Sequence, residues 1–323
     1  MATWFVTGGS GFVGRHLIQT LIERGDAVRA LARGESSQDT VRRLGATAVA
    51  GDLDSIEAMA HGMQGCDFVV HAAAEVQEWG PRERYQRVNV EGTRNALEAA
   101  RRAPVRRFVH IGTEAPFANG RDIVNIDESV PFPQKLLPRY PKTKAHAENL
   151  VRGANGNGVE TVVLRPRLIW GPDDTSILPQ LVAAVKQGQF MWIDGGRALT
   201  STCHVANVCA GAIAAAYRGK PGEAYFLTDG APVNVREFLG AYIRSGGVTP
   251  ADKSAPYWLV WMLASVCEFL WEYLPLPGKP PATRMAIALI GREVTVNDAR
   301  ARREMAYTNA ISRDEGLQQL LRA

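Results

Sequence analysis

Along the first half of the chain, short apolar runs alternate with longer stretches in which apolar positions recur every three or four residues. Thr3-Trp4-Phe5-Val6 is β-branched and aromatic and reads as a buried strand. Phe12, Val13, Leu17, Ile18, Leu21 and Ile22 then recur at helical spacing, and Gly25 ends the pattern. Further strands are predicted over 27–32, 47–50, 68–71 and 107–111, with a helix near Thr40 to Leu44 and a long one from about Glu83 to Arg102. A loop rich in Pro, Asn and Asp runs from Thr113 to Pro138, followed by a helix beginning near Tyr140 and a sixth strand over Thr161 to Arg165. Strands and helices that alternate with short connections predict an α/β fold, a doubly wound parallel sheet covered on both faces. Beyond Arg165 the alternation loosens into helices over 176–186 and 205–217, a strand over 224–228, and a helix capped by Asn234 that runs through Tyr242.

The turn between the first strand and the first helix is Thr7-Gly8-Gly9-Ser10-Gly11-Phe12-Val13-Gly14. Glycines there let the chain turn sharply and let its backbone approach a pyrophosphate, while the helix N-terminus offers free N–H groups and the positive end of its dipole. Gly8, Gly11, Phe12 and Val13 are therefore candidate cofactor contacts, and the sheet is expected to be Rossmann-like. A P-loop is excluded, because Arg15-His16 stands where Lys-Ser/Thr must hold phosphate and magnesium. Residues 1–170 are expected to form the dinucleotide-binding domain. Residues 171–323 are expected to return partly to the sheet and partly to form a smaller, mainly helical substrate-binding cap, over about 171–200 and 228–323.

Composition narrows the class without changing it. The 323 residues are 46% hydrophobic and 22% charged, with a net charge of +4, which suits a globular protein that attracts an anionic cofactor. Arg101-Arg102 and Arg106-Arg107 form no run long enough to suggest nucleic acid. Cys66, Cys203, Cys209 and Cys267 are scattered, without metal-ligand spacing, so no metal is expected and a reduced, cytoplasmic setting is. The first residues run straight into a strand, and no signal peptide is expected.

Which nicotinamide cofactor binds is read at the end of the second strand. An acidic residue there would hold the ribose hydroxyl of NAD, whereas this chain has Ala32-Arg33. A guanidinium binds a 2′-phosphate bidentately, so NADP(H) is the favoured cofactor, with Arg33 on the phosphate, and NAD(H) the alternative. Asp52 and Leu53, ending the third strand, are placed to contact adenine, although Asp52 also suits a helix cap. Ala72 and Ala73 follow the fourth strand, where small side chains let a cofactor come close. His71 is read as structural.

Tyr140-Pro141-Lys142-Thr143-Lys144 carries the candidate chemistry. Tyr140 and Lys144 share a helix face, and Pro141 suits the first turn. The ammonium and the helix dipole both favour phenolate, so the phenol pKa is expected to fall toward working pH, as a general acid/base needs. Lys144 can also hold the nicotinamide ribose. Thr113 follows the fifth strand and is placed to bond the substrate oxygen. Asn89, an unfavourable residue within a helix, suggests a buried relay through water to Lys144.

With the glycine turn, Thr113, Tyr140 and Lys144 in order, the chain resembles the extended short-chain dehydrogenase/reductases over roughly residues 1 to 245. Arg165-Pro166-Arg167-Leu168-Ile169-Trp170-Gly171-Pro172 is similar to the segment that lines the nicotinamide in that group, which adds Pro166 and Leu168 to the cofactor contacts. Tyr225-Phe226-Leu227-Thr228-Asp229-Gly230 and Val233-Asn234 resemble the branch of 3β-hydroxysteroid and sterol 4-carboxylate dehydrogenases, which includes reductases of long-chain β-keto acids. The strand ending in Arg33 resembles that of the NADP-binding dihydroflavonol reductases. The resemblance implies hydride transfer at a secondary alcohol or ketone, with Thr113, Tyr140 and Lys144 as triad and Asn89 as relay. Sugar-nucleotide dehydratases carry a T-D-E run. Here Thr113 is followed by Glu114-Ala115, which disfavours dehydration.

Pro256 to Leu274 is the least soluble-looking stretch, yet its least interrupted run, Tyr257 to Cys267, is too short to span a bilayer. It is expected to wall a bulky apolar substrate or to pack as cap core, with peripheral membrane contact through 256–274 a third reading. Arg167 is read as a surface or cofactor-contacting residue. The function expected is an oxidoreductase acting on a bulky, largely apolar ketone or secondary alcohol. The alternatives are a sugar-nucleotide epimerase with tightly bound NAD and a non-catalytic NADP sensor. The expected partner is an apolar small molecule, with a homodimer as the assembly the family resemblance allows and no nucleic acid.

Overall fold

A computed structural model describes residues 1–274 and 276–322. Seven parallel strands form the central sheet: β1 (Thr3–Thr7), β2 (Ala27–Ala32), β3 (Thr47–Ala50), β4 (Phe68–His71), β5 (Arg107–Ile111), β6 (Glu160–Pro166) and β7 (Ala224–Leu227). Their spatial order is 3-2-1-4-5-6-7. The order reverses between β1 and β4, and ligands of such sheets bind at the carboxyl ends of the strands beside that switch point.

The strands are apolar on both faces because both are covered. Trp4 and Val6 pack with Leu17, Ile18 and Leu21 of α1 (Phe12–Glu23) and with Val208 and Ala212 of a later helix. The residue between them, Phe5, points the other way, onto Met59 and Met63 of α3 (Ile56–Met63). That face continues into Ala96 and Ala100 of α5 (Gly92–Arg102) and Val151 of α6 (Tyr140–Ala154). This is period-2 alternation in which both sets meet helices.

The expected strands appear at their expected places, and several helices differ. The helix expected near Thr40 to Leu44 is α2 (Glu35–Arg43), which buries only Val41 and so shows little apolar periodicity. α3 fills a stretch in which no element was expected. The long helix expected from Glu83 to Arg102 is three pieces: α4 (Arg82–Tyr85), one wider π turn over Gln86–Glu91, and α5. The loop after Thr113 contains a strand, Ile123–Ile126, that pairs with Val294–Val296.

After β6 come α7 (Leu178–Lys186), α8 (Val205–Arg218) and α9 (Val235–Ser245), with β7 between α8 and α9. Asn234 caps α9 as expected, accepting from Arg236 N at 3.0 Å and Glu237 N at 3.4 Å. The chain ends in α10 (Tyr257–Tyr273), α11 (Arg284–Gly291), α12 (Ala299–Met305) and α13 (Arg313–Arg322). Among the described residues no helix is long and apolar enough to cross a membrane.

The expectation for 256–274 needs correction. α10 buries only Tyr257, Ala264 and Glu268, and Trp261 is half-buried. Trp258, Leu263, Val266 and Phe269, expected to wall a substrate or fill a core, point to solvent.

Candidate active site

The glycine turn is shaped by how little room it leaves. Gly8 has φ +73°, and a Cβ there would stand 2.7 Å from Ala73 N. A Cβ on Gly14 would overlap the Gly8 carbonyl oxygen, which already accepts from Gly11 N at 2.9 Å. α1 therefore starts against the turn, and no side chain caps its first N–H groups. Those free donors at Phe12 and Val13 suit a pyrophosphate. Ala72 and Ala73 are half-buried beside the turn, and Ala73 N donates to Thr7 Oγ1 at 3.3 Å. The cradle thus fits a dinucleotide in shape and in donors.

At the adenosine end, Arg33 is exposed and makes no hydrogen bond or ion pair among the described residues. Asp52 shapes a turn ahead of α3, accepting from Ser55 Oγ at 2.9 Å and Asp54 N at 3.0 Å. The Ser55 bond holds its carboxyl below the usual carboxylate range. Leu53 lies over Gly92, where a Cβ would stand 2.6 Å from Leu53 Cδ1. At the other end, Pro166 is buried as the last residue of β6, and Leu168 is half-buried with φ +46°.

Between these ends the chain assembles a line of polar side chains. Thr113 follows β5 and Tyr140 opens α6, and their hydroxyls are hydrogen-bonded to one another. Thr113 Oγ1 donates to Glu114 Oε2 at 2.9 Å, and Glu114 Oε1 accepts from Arg167 Nη1 at 3.0 Å. Glu114 and Arg167 are both fully buried. Arg167 also donates to Thr200 Oγ1 at 3.0 Å and Leu289 O at 2.6 Å, and its Nε has no partner.

Lys144, one helical turn after Tyr140, is buried. Its Nζ donates to Ile111 O at 2.8 Å and lies 3.4 Å from His110 Nε2. Burial lowers the Lys144 pKa to about 8. His110 stacks on His71, ring centroids 5.4 Å apart. The Thr93 hydroxyl is spent on Asn89 O, so His71 Nε2 donates to Thr93 Oγ1 at 3.0 Å and His71 Nδ1 accepts from Thr7 at 2.8 Å. Burial, with help from Lys144, drives the His71 pKa down to about 3, which keeps the ring neutral.

A family model for the 3-beta hydroxysteroid dehydrogenase/isomerase family matches residues 5–256. The chain belongs to this family. It is 48% identical over 319 residues to a 4-hydroxy-2-methyl-3-oxo-4-farnesyl-3,4-dihydroquinoline-1-oxide ketoreductase of Stigmatella aurantiaca, covering 99% of this chain and 96% of the relative. It is 32% identical to a decarboxylating sterol-4-alpha-carboxylate 3-dehydrogenase of Dictyostelium discoideum, covering 99% of this chain and 100% of the relative. The fold is shared with a solved dTDP-glucose 4,6-dehydratase of Streptomyces venezuelae with NAD bound, at TM-score 0.76 and 21% identity, covering 99% of this chain and 95% of that one. As a 3-beta hydroxysteroid dehydrogenase/isomerase family member, the chain is an extended short-chain dehydrogenase/reductase, an oxidoreductase that works with a nicotinamide dinucleotide.

Three expectations about the site of this family member need correction. The Tyr140 phenol is pushed above its ordinary value, not below it, by burial and then by the Glu114 carboxylate, with only the Thr113 hydrogen bond opposing. Lys144 is turned to the Ile111 carbonyl and is not among the groups that shift the phenol. Asn89 does not reach Lys144. Its amide donates to Glu75 O at 3.1 Å and Thr143 Oγ1 at 3.0 Å and accepts from Glu75 N at 2.8 Å, tying the loop after β4 to α6. Arg167 is neither on the surface nor free to take a ligand's carboxylate, because Glu114 already holds it.

Sequence reasoning also passed over Arg139. It precedes Tyr140 with φ +61°, stacks on Trp79 at 3.4 Å, and donates to Gly80 O at 3.1 Å and Glu272 Oε2 at 2.5 Å. A β-region residue would be ordinary at this helix start, and these contacts keep the strained backbone in place. No local pattern marks Trp79 or Glu272 as its partners, since they lie far from it in the chain.

Proposed function

We propose that this chain reduces a bulky, largely apolar ketone with NADP(H) as the preferred cofactor, and that Tyr140 is the proton donor. The observation that carries this reading is the hydrogen-bonded Thr113–Tyr140 pair at the carboxyl end of the sheet, beside the glycine cradle. When bound, the nicotinamide supplies the hydride. Gly8, Gly11, Phe12 and Val13 would hold the pyrophosphate, Arg33 the 2′-phosphate, Asp52 and Leu53 the adenosine, and Ala72, Ala73, Pro166 and Leu168 the walls around the ring.

Burial and Glu114 keep Tyr140 protonated, which suits it to give its proton to a carbonyl oxygen. Thr113 orients that oxygen by hydrogen bonding. With a pKa near 8, Lys144 is mostly charged at neutral pH, and its remaining N–H groups would hold the ribose hydroxyls. Asn89 acts through Thr143, fixing the first turn of α6 and hence Tyr140. The printed substrates of the two curated relatives, a farnesylated quinoline oxide and a sterol carboxylate, support an apolar substrate class.

The test is a panel of bulky ketones and alcohols read by NADPH and NADH absorbance. Consumption of NADPH with ketones is expected. Purified protein that retains NAD, ignores NADPH and leaves every ketone unreduced would instead point to the epimerase.

A further inference from the structure

α10 carries its apolar side outward. Trp258, Phe269, Met262, Tyr273, Val266 and Leu263 fall within one arc of the helix, and Trp258, Phe269 and Tyr273 are 66%, 62% and 72% exposed. The arc contains no charged residue. The two acids of α10 face the protein, Glu268 holding Arg284 at 2.7 Å and Glu272 holding Arg139 and Arg82. The polar face of this helix is therefore its anchored face, and its exposed face is grease. A patch this size on a folded protein marks a binding surface.

We propose that α10 docks on a lipid bilayer, lying flat with this arc among the headgroups and upper acyl chains. The helix has 17 residues, so it is about 25 Å long and its exposed side covers roughly 250 Å². A stable homodimer buries about 800 Å² per partner, so pairing two α10 faces falls well short. A bilayer sets no such minimum, because each apolar side chain that enters it contributes separately. Trp258 and Tyr273 stand near the two ends, where amphipathic rings favour the headgroup level. Exposed Lys253 and Lys279 lie just beyond either end, placed to meet lipid phosphates.

The position gives the contact a use. Glu272 of α10 holds Arg139, the residue before Tyr140. A docked α10 thus sets the mouth of the active site against the membrane, where an apolar ketone partitions. This use rests on the proposed function, whereas the docking itself does not.

The test is flotation of the full chain with phosphatidylcholine vesicles, at low salt and at 0.5 M NaCl, for wild type and for a Met262→Glu, Phe269→Glu double variant. Both positions are exposed, and circular dichroism checks that the variant is folded. Wild type is expected to float at both salt concentrations, and the folded variant to lose at least tenfold in vesicle affinity while keeping its turnover of a short water-soluble ketone. Wild type that stays unbound, or that salt releases completely, overturns the proposal. So does a concentration-dependent dimer that the variant abolishes, which would assign the face to a second copy. Loss of turnover on the soluble ketone by the folded variant would assign it to the substrate pocket. Flotation needs no turnover, so failure of the ketone reading and failure of the docking are told apart.

Discussion

Replacing Glu114 by Gln should move stability and chemistry in opposite directions. Glu114 is the only carboxylate on Arg167, at 3.0 Å, and both groups are buried, so solvent screening gives no relief. Breaking such a pair leaves an uncompensated buried charge and costs about 3–5 kcal/mol. Glutamine keeps an oxygen for Arg167, and Thr200 and Leu289 still accept from it, so the lower end, about 3 kcal/mol, is expected. The second effect is on Tyr140, which Glu114 holds protonated. At a separation of roughly 6 Å and an effective dielectric of about 20 the carboxylate acts on the phenol with about 3 kcal/mol, or roughly two pH units at most. Its removal lowers the phenol pKa. Ketone reduction, which needs the protonated phenol, should then lose its rate at a lower pH than in wild type, by on the order of one unit. Urea unfolding at pH 7.5 reads the first effect and the pH dependence of kcat the second. A variant that unfolds at the wild-type urea midpoint, with an unmoved alkaline limb, would refute both the buried pair and its hold on Tyr140.

Three further outcomes follow from the geometry. Tyr140→Phe should lower kcat by about 10²–10⁴ while cofactor binding, followed by NADPH fluorescence, stays within a few-fold of wild type; near-normal turnover removes Tyr140 from the mechanism. Arg33→Ala should raise KM for NADPH by about tenfold or more and leave KM for NADH nearly unchanged, and equal effects would reverse the cofactor preference. His71 and His110 both have pKa values depressed by burial, His71 to about 3, so below pH 6.5 the unfolded chain takes up protons that the native chain refuses. Their contribution is fully present above pH 6.5 and is lost as pH falls, by about 1.4 kcal/mol per pH unit for each ring, and His71→Gln should flatten the decline measured by urea unfolding between pH 6.5 and pH 5.

Much of the sheet could be read in advance because its strands are short apolar runs bounded by glycine or charge. Ala27–Ala32 and Phe68–His71 begin and end where the patterning places them. The glycine turn was legible for the same local reason. α2 was misplaced because a helix that buries one residue leaves almost no period, and the π turn because its spacing belongs to neither helix nor strand template. The site was legible as a set of residue types, Thr113, Tyr140 and Lys144, but not in its electrostatics. The sign of the Tyr140 shift depends on how deeply the phenol is buried and on where Glu114 and Lys144 turn. Those choices are made by Arg167 and the Ile111 carbonyl, partners that only the folded chain brings near.

The place of β7 at the rim of the sheet bears on how this protein is made. Residues 224–227 hydrogen-bond along β6, from Val163 to Pro166, and no earlier segment can do so. A nascent chain that has emerged only as far as residue 170 therefore presents an open edge of buried valine, leucine and arginine to its neighbours. Completion of the nucleotide-binding half must wait for about sixty more residues, and a truncation at the apparent border between the two halves is expected to aggregate on the bench.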